Sequence, residues 1–161
     1  LDVLTTVVDR ALLVGYRGAA TIPAGVVRIP DRVEDQGPLG GLDAALATAD
    51  DGPLLLLACD MPHVTAPLLA HLLALTDEAD MVVPRTEHGY HPLCAAYTAA
   101  CRPAVQRRLA RGHLRLRDLM DDVRVRVVEE DEIATFGENS QLLANVNTQA
   151  ELDAIESLLS H

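Results

Sequence analysis

Lysine is missing from this 161-residue chain, whose 13 basic residues are all arginine. A mechanism that needs an amine at a phosphate must find it elsewhere. Tryptophan is missing as well, and one phenylalanine and three tyrosines are the whole aromatic complement. With 24 acidic residues and a formal net charge of −11, the chain has neither a basic face nor the stacking platforms that hold nucleic acids. No nucleic-acid partner is expected. No apolar run nears the ~18 residues of a membrane span, and no basic-then-apolar leader opens the sequence, so no membrane partner is expected either. Cysteine is scarce and odd in number. Cys59, Cys94 and Cys101 sit in apolar contexts and read as reduced core thiols of a cytoplasmic protein, not as a disulfide framework. Internal repeats, low-complexity tracts and interdomain linkers are lacking too. At this length one domain over residues 1–161 is expected, and 49% hydrophobic residues are enough to build its core.

The most informative stretch is residues 54–64, Leu-Leu-Leu-Leu-Ala-Cys-Asp-Met-Pro-His-Val. A short run apolar on both faces reads as a buried central strand of a largely parallel sheet. Pro62 lacks an N–H and ends it, which leaves Asp60 at the strand's carboxyl end. Open α/β sheets bind ligands there, and a carboxylate so placed can hold a divalent metal against a phosphate. Asp60 reads equally as the cap of the following turn, and locally both readings stay open.

Other elements are expected on either side of this strand. Residues 1–8 have near-helical apolar spacing, residues 11–16 read as a buried strand, and residues 26–29 form a short strand closed by Pro30-Asp31. Residues 36–42, Gln-Gly-Pro-Leu-Gly-Gly-Leu, are too rich in glycine and proline for a helix interior. They predict a turn that opens into a helix from Leu42 and offers N–H groups to an anion. Thr65-Ala66-Pro67 predicts an N-cap and a helix through Leu75. Residues 79–84 predict a strand stopped by Pro84, residues 85–90 a polar excursion and residues 91–97 a further strand. A helix over 101–110 is stopped by Gly112, and a short helix ends near Asp121. Residues 123–127 alternate Val-Arg-Val-Arg-Val as a half-exposed edge strand does. Residues 129–138 read as an acidic loop, and Thr148 with Glu151 forms a capping box for a last helix over 149–159. This order predicts a three-layer α/β fold with a mostly parallel sheet and one or two antiparallel strands.

Two residue sets bear on chemistry. His88, His91 and Cys94 invite a zinc reading, but there are only three, and positions 91 and 94 point to opposite faces of a strand. His91 remains a polar contact for a ligand at a strand entry. Asp60, Asp31 and the glycine turn form a more coherent set, because each follows a strand or precedes a helix at one end of the sheet. Asp31 reads alone as a turn residue after proline, and in this set as a contact for a nucleobase or ribose. Arg107, Arg108, Arg111, Arg115 and Arg117 read either as a solvated helix face or as the seat of a second, anionic substrate.

Five segments in order carry a resemblance: Asp31 with Gly37-Pro38-Leu39-Gly40-Gly41-Leu42, then Leu57-Ala58-Cys59-Asp60-Met61-Pro62, then His91-Pro92-Leu93-Cys94-Ala95-Ala96-Tyr97, then Gly112-His113-Leu114-Arg115, then Asn145-Val146-Asn147-Thr148. Together they resemble the molybdenum cofactor guanylyltransferases. The resemblance implies a Rossmann-like nucleotidyltransferase fold and transfer of GMP from GTP to the phosphate of molybdopterin, giving the guanine dinucleotide cofactor and pyrophosphate. It implies Mg²⁺ as cofactor, held by Asp60, which is also the catalytic residue. GTP is contacted by Asp31, Asp60 and the turn formed by Gly37, Pro38, Leu39 and Gly40. Asn145, Asn147, His91 and Arg115 fall on the molybdopterin side. Molybdoenzymes or their chaperones are the implied recipients of the product.

The family opens with a strand and a glycine-rich phosphate loop that the 161 residues do not contain. The expectation is that about one strand–loop–helix unit, roughly 30 residues, is missing, together with its cationic contacts to the triphosphate. The family's asparagine after the early strand falls near Gly15. A cytidylyltransferase of the same pathway and a non-catalytic nucleotide-binding relative remain alternatives. A sugar-nucleotide pyrophosphorylase shares the fold but has no sugar-binding extension to support it.

Overall fold

The computed structural model describes residues 2–14, 24–30, 35–137 and 142–143. Two short parallel strands come first, β1 (Ala11–Val14) and β2 (Val26–Ile29), paired from Ala11–Val26 to Val14–Ile29. The main sheet holds β3 (Leu54–Leu57), β4 (Met81–Thr86), β5 (Gly89–Tyr90), β6 (Cys94–Tyr97) and β7 (Val125–Val128). β6 lies between β3 and β4 and runs antiparallel to both. β7 lies on the other side of β4, parallel to it. Thus β3, β4 and β7 share one direction, and β6 is the inverted strand among them.

Side chains alternate across this sheet, as a period of two requires. Leu54, Leu56, Met81, Val83, Ala95 and Tyr97 face one core, where α2 (Gly37–Thr48) supplies Leu39, Leu42 and Leu46 and α4 (Arg102–Ala110) supplies Ala104 and Val105. Leu55, Leu57, Val82, Cys94 and Ala96 face the other, covered by Leu68, Leu69 and Leu72 of α3 (Ala66–Ala74), by Val3 and Leu4 of α1 (Asp2–Thr5) and by Ile133 of α5 (Glu130–Ile133). Each fully buried leucine contributes about 1.5–3 kcal/mol of transfer free energy. The result is the three-layer α/β arrangement, with β5 and β6 as its antiparallel strands. On the α3 side, Glu132 gathers His71 Nε2 at 2.6 Å and Arg126 at 3.0 Å, tying α3, β7 and α5 together.

The structure departs from sequence expectation at several points, each for a local reason. The glycine-rich stretch is not a turn before a helix but the helix's own first turn, with Pro38 at its start. Gly40 is needed there because a Cβ would come within 2.6 Å of Gln36 Cβ, which folds back over it. Pro84 does not stop β4, which runs on to Thr86. The Pro84 carbonyl accepts the His91 N–H at 2.9 Å. Its nitrogen faces the same side, where pairing with β6 has already ended at Val82, so no ladder bond is lost. Residues 85–90 form a hairpin, with Arg85 opposite Tyr90 and Thr86 opposite Gly89. The acidic stretch after β7 is α5 followed by a 3₁₀ turn, Ala134–Phe136. Cys94 and Cys101 are buried core thiols, whereas Cys59 is exposed. The expected last helix and Thr148 lie outside the described residues. Among those residues, no helix is long and apolar enough to cross a membrane.

Candidate active site at the carboxyl end of the sheet

Strand direction decides what meets at this end. β3 and β4 finish here and β6 begins here. Leu57 pairs with Cys94, and one residue on, the Ala58 N–H donates to the Leu93 carbonyl at 2.8 Å. Asp60, two residues past Ala58, and His91, two residues before Leu93, therefore emerge at the same end of adjacent strands. α2 precedes β3 and runs against it, so its first turn also lies here. α4 follows the inverted β6 and returns to this end, where Gly112, at φ +70°, takes the left-handed conformation that halts the helix.

Asp60 is half-buried in the turn after β3 and has no hydrogen-bond or ion-pair partner among the described residues. A carboxylate left without a protein partner is open to a cation or a donor. No three His, Cys, Asp or Glu side chains converge among the described residues. A hard carboxylate oxygen offered singly fits Mg²⁺, which takes one or two carboxylates and completes its shell with waters and substrate phosphates. It does not fit zinc, which wants three or four protein ligands. The Cys94 thiol faces the α3-side core, and burial pushes it up to about 12, far from a metal-binding thiolate.

His91 is half-buried, with Nε2 2.8 Å from Thr86 Oγ1. Burial, and then the nearby His88, hold its imidazole below its ordinary value, so it is neutral at pH 7 and serves as a hydrogen-bonding group rather than a cation. In the first turn of α2, Leu39 is fully buried and Gly40 is buried beside it, whereas Gly37 and Pro38 are exposed. The Gly40 N–H already reaches the Gln36 carbonyl at 3.3 Å. Arg115 is exposed and lines an open cleft of about 260 Å³ with Gly112, His113, Leu114 and Asp118. The structure thus brings Asp60, His91, Arg115 and the turn at Gly37, Pro38, Leu39 and Gly40 to one end of the sheet. Asp31, Asn145 and Asn147 lie outside the described residues.

Tyr90 was hidden in what read as a polar excursion. It sits in the hairpin with Arg85 5.7 Å and Arg117 5.3 Å from its ring centre. The signal in the sequence was Gly89 after Glu87-His88, a hairpin turn between two residues able to pair.

Comparison with known proteins agrees with this geometry. Residues 1–130 match the model of the MobA-like NTP transferase domain. A protein of Pelotomaculum thermopropionicum named probable molybdenum cofactor guanylyltransferase is 33% identical over 130 residues, covering 80% of this chain and 62% of its own length. The molybdenum cofactor guanylyltransferase of Desulfosudis oleivorans is 26% identical over 159 residues, 98% of this chain and 79% of that protein. The crystal structure of molybdopterin-guanine dinucleotide biosynthesis protein A from Archaeoglobus fulgidus superposes with a TM-score of 0.69 at 24% identity, over 83% of this chain and 68% of that one. The chain therefore spans under two thirds of the Pelotomaculum relative, and the Archaeoglobus likeness speaks for the shared fold. A three-layer sheet with its open carboxylate at the carboxyl end, and a family match over most of its length, place this chain in the family of MobA-like NTP transferase domains.

Proposed function

We propose that this protein transfers GMP from GTP to the phosphate of molybdopterin, forming the guanine dinucleotide cofactor and releasing pyrophosphate. The observation that carries the reading is the unpartnered, half-buried Asp60 at the carboxyl end of β3, in a chain whose relatives are named for that transfer. An oxygen of the acceptor phosphate attacks the α-phosphorus of GTP. One P–O bond forms there as the bond to the β-phosphate oxygen breaks. The nucleophile is already an anion, so no protein base is needed, and catalysis rests on positioning and charge neutralisation. Mg²⁺ held by Asp60 supplies Lewis-acid neutralisation of the phosphate oxygens when bound. The first turn of α2 at Gly37, Pro38, Leu39 and Gly40, exposed at Gly37 and Pro38, faces the nucleotide together with Asp31. His91, as a neutral hydrogen-bonding group, and Arg115, as a cation, face the acceptor with Asn145 and Asn147. The site operates in the cytoplasm and hands its product to molybdoenzymes or their chaperones.

The test is pyrophosphate release by the full-length protein supplied with molybdopterin and either GTP or CTP, with Mg²⁺ or with EDTA. Release with GTP that is abolished by EDTA is expected. Faster release with CTP would move the protein to the cytidylyl branch, and release with neither nucleotide would leave it a non-catalytic relative.

A further inference from the structure

β4 and β5 meet in a tight hairpin, and Thr86 stands at its entry. Thr86 is the last residue of β4 and pairs with Gly89 across the turn. The His88 N–H donates back to Thr86 Oγ1 at 3.3 Å. Threonine makes such local bonds readily at turns, and this one fixes where the hydroxyl oxygen lies. The same oxygen is 2.8 Å from His91 Nε2.

The backbone of His91 is pinned on both sides. Its N–H donates to the Pro84 carbonyl at 2.9 Å, and its carbonyl accepts the Cys94 N–H at 3.0 Å. The following Pro92 disfavours the helical region for it. The ring is thus carried on a fixed backbone, and Thr86 holds one of its nitrogens. A neutral imidazole has a single N–H, and the bond made by one nitrogen decides whether the other donates or accepts. The Thr86 hydroxyl has one hydrogen to give. The His88 N–H is itself a donor, so the acceptor that this hydroxyl meets among the described residues is His91 Nε2. With Nε2 accepting, the ring proton sits on Nδ1. That nitrogen has no partner among the described residues and is not one of the buried polar atoms cut off from solvent.

We propose that Thr86 is a positioning residue of this site: by donating to His91 Nε2 it places the one N–H of the ring on Nδ1 and makes His91 a donor to an oxygen atom of the ligand. A hydroxyl or amine hydrogen on a ligand finds no acceptor at that nitrogen, so fixing the tautomer selects among ligand groups. The assignment rests on the function proposed above in taking that ligand to be the acceptor substrate. The tautomer is a property of the protein alone and is read without turnover.

The experiment records two-bond proton–nitrogen correlation spectra of the full-length protein, labelled at histidine and without ligand, in alkaline buffer where the imidazoles are neutral. His91→Gln identifies the His91 signals. A protonated Nδ1 and an unprotonated Nε2 are expected at His91. Thr86→Val keeps the shape of the side chain and removes the hydroxyl, and should return His91 to the Nε2–H form that free histidine favours. Thr86→Ser keeps the hydroxyl and should preserve the Nδ1–H form. In turnover, Thr86→Val should raise the KM for molybdopterin about tenfold, the weight of one hydrogen bond, with the KM for GTP changed less than about twofold and Thr86→Ser close to the parent. Thermal melts establish that each variant is folded. If Thr86→Val does not fold, Thr86→Ala removes the same hydroxyl, with the same change of tautomer expected. An Nε2–H tautomer in the parent, an unchanged His91 spectrum in folded Thr86→Val, or a molybdopterin KM that this variant leaves unmoved would each overturn the proposal. An equal rise in both KM values would mark a merely structural effect and overturn it as well. The Nδ1–H form in the parent, with no transfer from GTP or CTP, would instead defeat the proposed function and leave the tautomer assignment standing.

Discussion

Two aspartates sit at opposite ends of the same sheet. Asp80 precedes β4 at the amino end, where Arg124 precedes the neighbouring β7. Its carboxylate accepts the Arg124 N–H at 3.0 Å and the guanidinium at 2.9 Å, and the Asp80 carbonyl accepts the Thr98 N–H at 2.9 Å and the Cys101 thiol at 3.1 Å. Asp60 follows β3 at the carboxyl end and has no such partner among the described residues. Both residue type and strand-end position are shared, so the difference lies in satisfaction. A carboxylate whose bonds are made within the chain serves folding, and the open one at the ligand end is the one the proposed function uses.

The sharpest way to break this contrast is to remove each carboxylate. Asp60→Ala should lower turnover by about 10³-fold or more, on the scale of losing a preorganised electrostatic contact, while the melting temperature stays within about 2 °C of the parent. A folded Asp60→Ala protein with near-normal turnover removes Asp60 from the metal and nucleotide. Asp80→Asn should behave inversely, with a melting temperature about 3–6 °C lower and turnover per folded molecule within twofold. An Asp80→Asn enzyme that melts normally but turns over slowly would reverse the assignment.

A pH series sharpens the same contrast. The Arg124 guanidinium bonded to Asp80 holds that carboxyl below its ordinary value. A depressed carboxyl contributes its full stability above the unfolded pKa, about 3.9. That contribution is lost as pH falls from there through the lower folded value. The gap in melting temperature between the parent and Asp80→Asn should therefore be constant from pH 7 down to about pH 5 and close below about pH 4. A gap that closes near pH 6 would point to a different group. The smallest effect is expected at Gly40→Ala. The added methyl meets Gln36 Cβ, an overpacking cost of about 1–3 kcal/mol, offset by ~1 kcal/mol of helix propensity. Urea unfolding should show a net loss of about 1 kcal/mol, and a gain would mean that Gln36 swings away freely.

The sequence made the layer order readable because its strands are short apolar runs closed by proline, glycine or aspartate, and its helices carry apolar faces. The site end was readable for the same reason: Asp60 and His91 flank strands whose ends their own neighbours mark. Local rules failed where tertiary contact overrides them. Pro84 reads as a strand breaker, but its donor-less nitrogen falls where no ladder bond is needed. Gly40 and Gly41 read as a turn, but both lie in the helix, and Gly40 lets Gln36 fold back over its first turn. The pairing of Tyr90 with Arg117, 27 positions apart in the chain, depends on a return path that no local pattern encodes. Neither does local pattern distinguish Arg108, bound to Asp122 at 2.6 Å, from its unpaired neighbour Arg107.

The inverted strand β6 has an electrical consequence. In an all-parallel sheet, every connecting helix turns its positive, amino-terminal pole to the ligand end. Because β6 runs backwards, α4 arrives at that end with its negative pole, beside the positive pole of α2. A bare negative pole would repel a phosphate, and the arginines on and after the last turn of α4 mask it. Two helix poles of opposite sign thus stand at one end of one sheet. The first is set by backbone dipoles and is fixed by the fold. The second is masked by side chains, so that the charge beside it can be rewritten one arginine at a time without disturbing α2.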